Sequence, residues 1–391
     1  MNNSVAYRIA GKLFRVEKKL APEGTRRSNT LRLGYRAVRA IPRLSSPRYV
    51  ATKLRLYSRR IADRARLAAR PYLSLSRRVI GPIGPGVSAI SGPPRFANVD
   101  QVDVSIIIPV YNHCQETMAC LRSIAELTSG PSYEVIVVDD GSSDETPELL
   151  ASTEGLVAIR NEQNLGFVGS CNRGAEAARG HYLLFLNNDT VVTPGWLGSL
   201  VQTFRDIPET GLAGAKLVYP DGRLQEAGGV VWSDASGLNY GKFDDPDHPK
   251  YNFAREVDYC SGACLILPRA LFESLGGFDS CYKPAYYEDT DLAFKVRHRG
   301  HKVIYQPLAT VIHHEGVTAG RTVKAGVKTH QLINRAKFRQ RWRERLTAHP
   351  DSSENLKRFT RGHGTNTPGQ GSVLVIDHRL PTPDRDSGSV R

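Results

Sequence analysis

The sequence predicts an α/β protein with a mostly parallel central sheet, preceded by a basic N-terminal arm that is partly helical or disordered. Three observations carry that prediction. From residue 102 onward, short apolar, β-branched runs alternate with segments of helical spacing, as in strands joined by crossover helices. Polar residues cluster directly after those runs, where the ligand-facing strand ends of such sheets lie. Finally, residues 1–100 hold 22 Lys and Arg against 4 Asp and Glu, whereas the remainder holds 31 against 35. The net charge of +14 therefore belongs to the arm, and the body is mildly acidic.

At 391 residues, with 40% hydrophobic and 24% charged residues, the chain has ordinary globular composition and room for a sizeable core. No apolar run approaches the 18 or so residues of a membrane-spanning helix, and the first twenty residues lack the apolar stretch of a secretory signal. Six cysteines without a CxxC pair form no disulfide framework, so a reduced, cytoplasmic compartment is the expectation.

The arm mixes Leu, Val and Ile among its arginines and leaves through GPIGPGVSAISGPPR (81–95). One expectation is a membrane-surface segment, with Arg55, Arg59, Arg60, Arg64 and Arg66 drawn to anionic lipid at about 1 kcal/mol per charge. That would make the protein peripheral at the inner face of the plasma membrane. The other is a solvated, disordered tail. No nucleic-acid module accompanies the charge, so no nucleic-acid partner is expected.

VDVSIIIPVY (102–111) reads as a buried strand ending in Pro109, Tyr111 and Asn112. CQETMACLRSIAEL (114–127) places Met118, Leu121, Ile124 and Leu127 at helical spacing. YEVIVVDD (133–140) is a second buried strand ending in Asp139 and Asp140, and the helix after it is expected to be capped by Ser142 or Ser143. VAIR (157–160) is a further strand and 168–179 a further helix. HYLLFLNND (181–189) ends in Asn187, Asn188 and Asp189. One DDGS turn is usually a cap. Three coincident strand-end clusters form a site.

The residue types suit a nucleoside diphosphate. Tyr111 can stack on a base, and Asp139 or Asp140 can accept the imide hydrogen of uracil or thymine. Asp189 suits a hard divalent cation. Asn164 and Gly166, in NLGFVGSCNRG, allow close backbone approach at the start of a helix. Further on, Glu288, Asp289 and Asp291 precede an amphipathic helix, where they can complement its dipole or supply a general base. In VIHHEG (311–316), His313 or His314 can be a second metal ligand.

In order and spacing, VSIIIPVYN, EVIVVDDGSSDET, NLGFVGSCNRG, YLLFLNNDT, GGFDSCYKPAYYEDTDLAFKVRHRGHKVIYQP and VIHHEG resemble glycosyltransferase family 2, over about residues 102–342. The similarity is greatest to bacterial rhamnosyltransferase-like and O-antigen or cell-surface polysaccharide members. The resemblance implies a Rossmann-like GT-A fold and transfer from a nucleotide-sugar, with inversion, to a hydroxyl of a glycan acceptor. It implies nucleotide-sugar binding by Pro109, Tyr111, Asn112, Asp139, Asp140, Asn164, Gly166 and Asn188. Asp189 and His313 would hold Mg²⁺ or Mn²⁺, and Asp289 would be the catalytic base. Gly262, Ala263 and Glu288 would flank the donor sugar or acceptor. The implied donor is a dTDP- or UDP-sugar, with rhamnose foremost, and a lipid-linked acceptor would suit the basic arm. The first carboxylate of the family's DxD-type motif is replaced here by Asn187, which weakly favours a rival reading, a catalytically inactive nucleotide-sugar-binding scaffold, whereas the intact set of Asp189, Asp289 and His313 disfavours it. A nucleotidyltransferase would need a Gly-rich basic loop where YNHCQET stands, and a processive synthase would need membrane spans.

These readings divide the chain into an arm (1–100), a catalytic domain (101–346), and a linker followed by the truncated start of a second, GT-B-like domain (347–391). The segment 328–346 reads as a closing basic helix, with Leu332, Phe338 and Trp342 packing back on the domain.

Overall fold

A computed structural model describes residues 93–314 and 329–351. The arm as far as residue 92, the segment 315–328 and residues 352–391, where the linker and the start of a second domain were expected, lie outside the described residues. The first strand, β1 (Val104–Val110), leads through α1 (Cys114–Leu127) to β2 (Tyr133–Asp139). Next come α2 (Thr146–Ser152), β3 (Val157–Arg160), α3 (Gly166–Ala177), β4 (Tyr182–Leu186), β5 (Thr190–Val192) and α4 (Trp196–Asp206). Then β6 (Thr210–Val218), β7 (Leu224–Glu226), β8 (Gly229–Val231), β9 (Gly237–Asn239), β10 (Arg255–Glu256) and β11 (Cys264–Pro268) follow. Finally come α5 (Arg269–Ser274), α6 (Glu288–His298), β12 (Lys302–His313), α7 (Thr329–Arg341) and α8 (Arg343–Leu346).

The main sheet has the order β10-β12-β6-β11-β4-β1-β2-β3, with β5 on β12 and β7 on β6. Strands β1 to β4 pair in parallel, as do β6 and β12. The alternation rule does not anticipate β11, which runs antiparallel to both β4 and β6. That reversal leaves β6 and β12 pointing the same way as β1 to β4. The carboxyl ends of β1, β2, β4, β6 and β12 therefore share one edge with the residues that precede β11.

Both faces of the sheet are covered, which is why β1 reads as a continuous apolar run rather than an alternating one. Ile106 and Ile108 pack with Leu121, Ile124, Trp196 and Leu200 on one side, and Ile107 packs with Val168 and Cys171 on the other. Gly174 on α3 is fixed by this packing, since a Cβ there would stand 2.5 Å from Ile107.

Several boundaries move. The ordered body begins before residue 101: Phe96 is buried and donates its N–H to the Glu154 carbonyl. It also continues past 346, because buried His349 contacts the Val231 carbonyl and Pro350 accepts from Ser233. Neither Ser142 nor Ser143 caps α2; the Asp144 carboxylate accepts the Thr146 N–H instead. Glu288, Asp289 and Asp291 form the first turn of α6 rather than preceding it. Phe338 is fully buried and Trp342 packs on the core, but Leu332 faces outward and the helix breaks before α8. Five of the cysteines are buried and Cys281 is exposed, all as free thiols. No described helix is long and apolar enough to cross a membrane.

Candidate functional site

The shared carboxyl edge collects most of the residues expected from the sequence. At the end of β1, Tyr111 is 46% exposed, and Pro109 beside it is partly covered. Asn112 and His113 both adopt positive φ, 57° and 62°, a strained pair for side-chain-bearing residues. The turn is held because Asn112 donates to Ser142 Oγ at 2.8 Å and its Oδ1 accepts the Ser143 N–H at 2.8 Å. The ends of β1 and β2 are thus stitched into one rim.

Asp139 and Asp140 are both buried and both engaged by protein donors. Asp139 accepts from the Ser142 N–H and from Arg160, whose guanidinium also reaches the Ser142 carbonyl. Asp140 accepts from Asn161 Nδ2 and from the N–H groups of Leu165 and Gly166, at 2.7–2.8 Å. It therefore sits on the amino end of α3, where a carboxylate is favoured by unpaired N–H groups. Asn164 is exposed and caps the same turn through Gly166 N. Gly166 has φ +71°, and a Cβ there would come within 2.8 Å of Pro284, so only glycine lets α3 approach the loop that leads into α6.

At the end of β4 the three polar residues diverge. Asn188 is buried and gives its amide to Thr117 on α1, which turns its side chain into the fold. Asn187 Nδ2 lies 3.3 Å from His313 Nε2, and Asp189 Oδ1 lies 3.2 Å from the same nitrogen. His314 meets Asp189 through its backbone, donating N–H to the Asp189 carbonyl. Of the two adjacent histidines, it is the buried ring of His313 that faces the carboxylate.

Behind that ring stands Gln225, with Nε2 3.0 Å from His313 Nδ1. An amide donating there leaves the imidazole proton on Nε2. Rotated by half a turn, the amide accepts from Nδ1–H and leaves the Nε2 lone pair facing Asp189, the form a cation requires. The separation suits a shared ion, since two ligands at about 2.1 Å and near right angles lie about 3 Å apart. Oxygen plus imidazole is also a donor pair that Mn²⁺ or Mg²⁺ accepts. No group of three His, Cys, Asp or Glu gathers as a metal cage among the described residues, so further positions would fall to water and a ligand's phosphates.

Asp289 completes the edge. Its Oδ2 accepts the Gly262 N–H at 3.0 Å and its Oδ1 accepts from Thr290. The neighbouring Ala263 carbonyl accepts the Asn187 N–H at 3.0 Å. Gly262 and Ala263 thus bridge the carboxylate of α6 to the Asn187–Asp189 segment. Burial pushes the Asp289 carboxyl above its ordinary value, while the Gly262 and Thr290 hydrogen bonds pull against that rise. Glu288 is buried with Oε2 lacking a hydrogen-bond partner. Burial first, and the Asp289 charge second, hold its carboxyl well above the usual range.

Sequence reasoning missed Arg160, Asn161, Gln225 and Glu226. The strand-end rule applied to VAIR points to the first two. The buried triplet β7 offers no periodic signal, yet Gln225 braces His313 and Glu226 accepts the Ser261 N–H next to Gly262. One short strand supports both halves of the site.

Residues 105–276 match the family model described as Glycosyl transferase family 2. The uncharacterized protein y4gI of Sinorhizobium fredii is 30% identical over 266 residues, which is 65% of this chain and 29% of that protein. The O-antigen biosynthesis protein RfbC of Myxococcus xanthus is 32% identical over 249 residues, 60% of this chain and 19% of that one. The N-acetylglucosaminyl-diphospho-decaprenol L-rhamnosyltransferase of Mycobacterium tuberculosis is 26% identical over 233 residues, 54% of this chain and 75% of the enzyme. The chain thus spans less than a third of the first two relatives' lengths.

Proposed function

We propose that this chain, whose residues 105–276 belong to glycosyl transferase family 2, moves a sugar from a nucleotide diphosphate to a hydroxyl of a glycan acceptor, with inversion. The observation that carries the reading is the bridge at Gly262 and Ala263, which links a desolvated carboxylate on α6 to the Asp189–His313 pair. Inverting transfer needs a base on one side of the anomeric carbon and positive charge by the leaving diphosphate on the other.

Tyr111, with its ring exposed, would stack on the base, and the rim from Asn112 to Ser143 would receive the nucleoside. Asn164 and Gly166, at the amino end of α3, would lie beside the donor. Asp189 and His313 would hold Mg²⁺ or Mn²⁺, which when bound supplies charge for the diphosphate. Asp289 would take the proton from the acceptor hydroxyl as that oxygen attacks. Its desolvation raises its proton affinity and makes it the stronger base. The relatives' names favour rhamnose as the sugar and cell-surface polysaccharide synthesis as the setting.

The test presents the full chain with dTDP-rhamnose and with UDP-glucose, UDP-galactose and UDP-N-acetylglucosamine, with and without Mn²⁺. Calorimetry reads donor binding, and transfer is read as nucleoside diphosphate release dependent on a glycan acceptor. Asp289→Asn is expected to lower transfer roughly 10²–10⁴-fold while donor affinity stays within a few-fold. Loss of donor binding in that variant would assign the residue wrongly. Donor binding without any transfer by the unaltered chain would move the reading to an inactive scaffold.

A further inference from the structure

The outward face of the C-terminal helices is basic and carries exposed aliphatic side chains. Between residues 329 and 347 there are six Lys and Arg against a single acid, Glu344. The opposite face explains some of them: Arg341 pairs with Asp279 and Asp291, and Lys337 donates to the Cys281 carbonyl. Arg339 and Arg343 have no ion pair or hydrogen bond among the described residues. Leu332, Ala336 and Arg339 recur at i, i+4 and i+7, one stripe of α7, and Arg343, in α8 beyond the break, lines the same groove. The stripe lines a groove of about 790 Å³ whose far wall is Ser233 and Asp234. Leu332 is 62% exposed and its neighbour Ile333 53%. Large exposed aliphatic side chains beside unpaired arginines, here across α7 and the start of α8, are the composition of a surface that lies in the interface of an anionic bilayer.

We infer that this stripe docks on an anionic lipid bilayer, with Arg339 and Arg343 on lipid phosphates and Leu332 and Ile333 dipping among the acyl chains. Charge complementarity selects the partner: the one carboxylate on the groove wall, Asp234, is already neutralised by Arg335 at 2.7 Å, so the groove offers net positive charge. The placement has a consequence for the site. Ala235, in the loop that walls the groove, accepts the Tyr287 hydroxyl at 2.8 Å, and Tyr287 immediately precedes Glu288 and Asp289. A bilayer on the stripe would lie one loop away from the first turn of α6. Docking itself requires no sugar chemistry.

The experiment uses the full chain and phosphatidylglycerol vesicles, with phosphatidylcholine vesicles as the neutral control. In a Cys281→Ser background the remaining described cysteines are buried, so Leu332→Cys places an environment-sensitive fluorophore on the stripe. A blue shift with phosphatidylglycerol, absent with phosphatidylcholine and reversed by salt, is the expected result. Arg339→Gln with Arg343→Gln is expected to weaken vesicle partitioning roughly 25-fold, from about fivefold for each charge lost near the surface. Sedimentation with the vesicles but no shift at position 332 would place contact elsewhere and overturn the inference. So would a shift produced by inorganic diphosphate alone, which would make the groove a site for a soluble phosphate. Because donor and acceptor are omitted, failure here leaves the glycosyl-transfer reading standing.

Discussion

Asp189 and His313 meet at 3.2 Å across the sheet edge because β5 and β12 pair with Thr190 opposite His313. The backbone ladder delivers the imidazole to the carboxylate, and Gln225 holds the ring from behind at 3.0 Å.

That arrangement makes cation affinity depend on a residue that touches no cation. In the presence of UDP or dTDP, Asp189→Ala is expected to abolish Mn²⁺ binding read by electron paramagnetic resonance. Gln225→Leu is expected to weaken it roughly 10–100-fold, the usual effect of removing the group that orients a ligating histidine. Wild-type Mn²⁺ affinity in Gln225→Leu would show that the ring needs no brace.

Glu288 should reveal itself in the pH dependence of stability. Its carboxyl is buried, one oxygen lacks a hydrogen bond, and its folded-state proton affinity is raised. Between the unfolded value near 4.5 and the higher folded value, the native state holds more protons than the unfolded chain. Stability therefore falls as pH rises through that window. Glu288→Gln removes the titration, so its stability relative to the unaltered chain should rise with pH across that window, by up to about 1.4 kcal/mol per pH unit. That gain should shrink as pH falls through the window toward 4.5. Chemical denaturation at pH 4.5 and pH 7.5 checks this, and an equal difference at both values would deny the shift.

How much of this was legible in the chain depends on whether a residue's role is set locally. Strand ends such as Tyr111, Asp139 and Asp189 follow from apolar runs that stop, and a local pattern suffices. The commitment of Asp140 to Leu165 and Gly166, or of Asn188 to Thr117, depends on crossovers that bring distant loops together. The antiparallel β11 was hidden for a similar reason: CLILP is as apolar as the parallel strands, so direction leaves no trace in its composition. Leu332 was expected inside with Phe338, but the buried face of α7 carries Asn334 and Phe338, and Leu332, six residues before Phe338, lies off that face and is exposed.

Tyr111 carries the aromatic part of the nucleoside reading. Its ring is exposed at the end of β1, beside a turn made rigid by Asn112 and Ser142. Replacement by Ala should weaken pyrimidine nucleoside diphosphate binding by about 1–3 kcal/mol, the range for a base stacked on an aromatic side chain. Tyr111→Phe, which keeps the ring, should bind nearly as well. Calorimetry separates the two variants. Equal losses in both would assign the effect to the hydroxyl instead.

Asp291 ties the C-terminal helices to the helix that carries the candidate base. It is fully buried and accepts from the Tyr282 hydroxyl, Trp342 Nε1 and Arg341, with Lys295 at 3.4 Å. The pairing satisfies a charge that water cannot reach, so breaking it from one side leaves the partners' donors stranded. Asp291→Ala should therefore cost roughly 3–5 kcal/mol, the penalty for breaking a buried ion pair. Trp342→Phe removes one donor of several and should cost about 1–1.5 kcal/mol. Because Asp289 lies two residues away on the same turn of α6, Asp291→Ala should also lower transfer per folded molecule, whereas Trp342→Phe should leave it close to normal. Urea denaturation gives the first ordering and assays normalised to folded protein give the second. If Asp291→Ala cost no more than truncating an exposed aspartate such as Asp100, the C-terminal helices would be held by Phe338, its apolar neighbours and the remaining polar ties such as Arg341–Asp279.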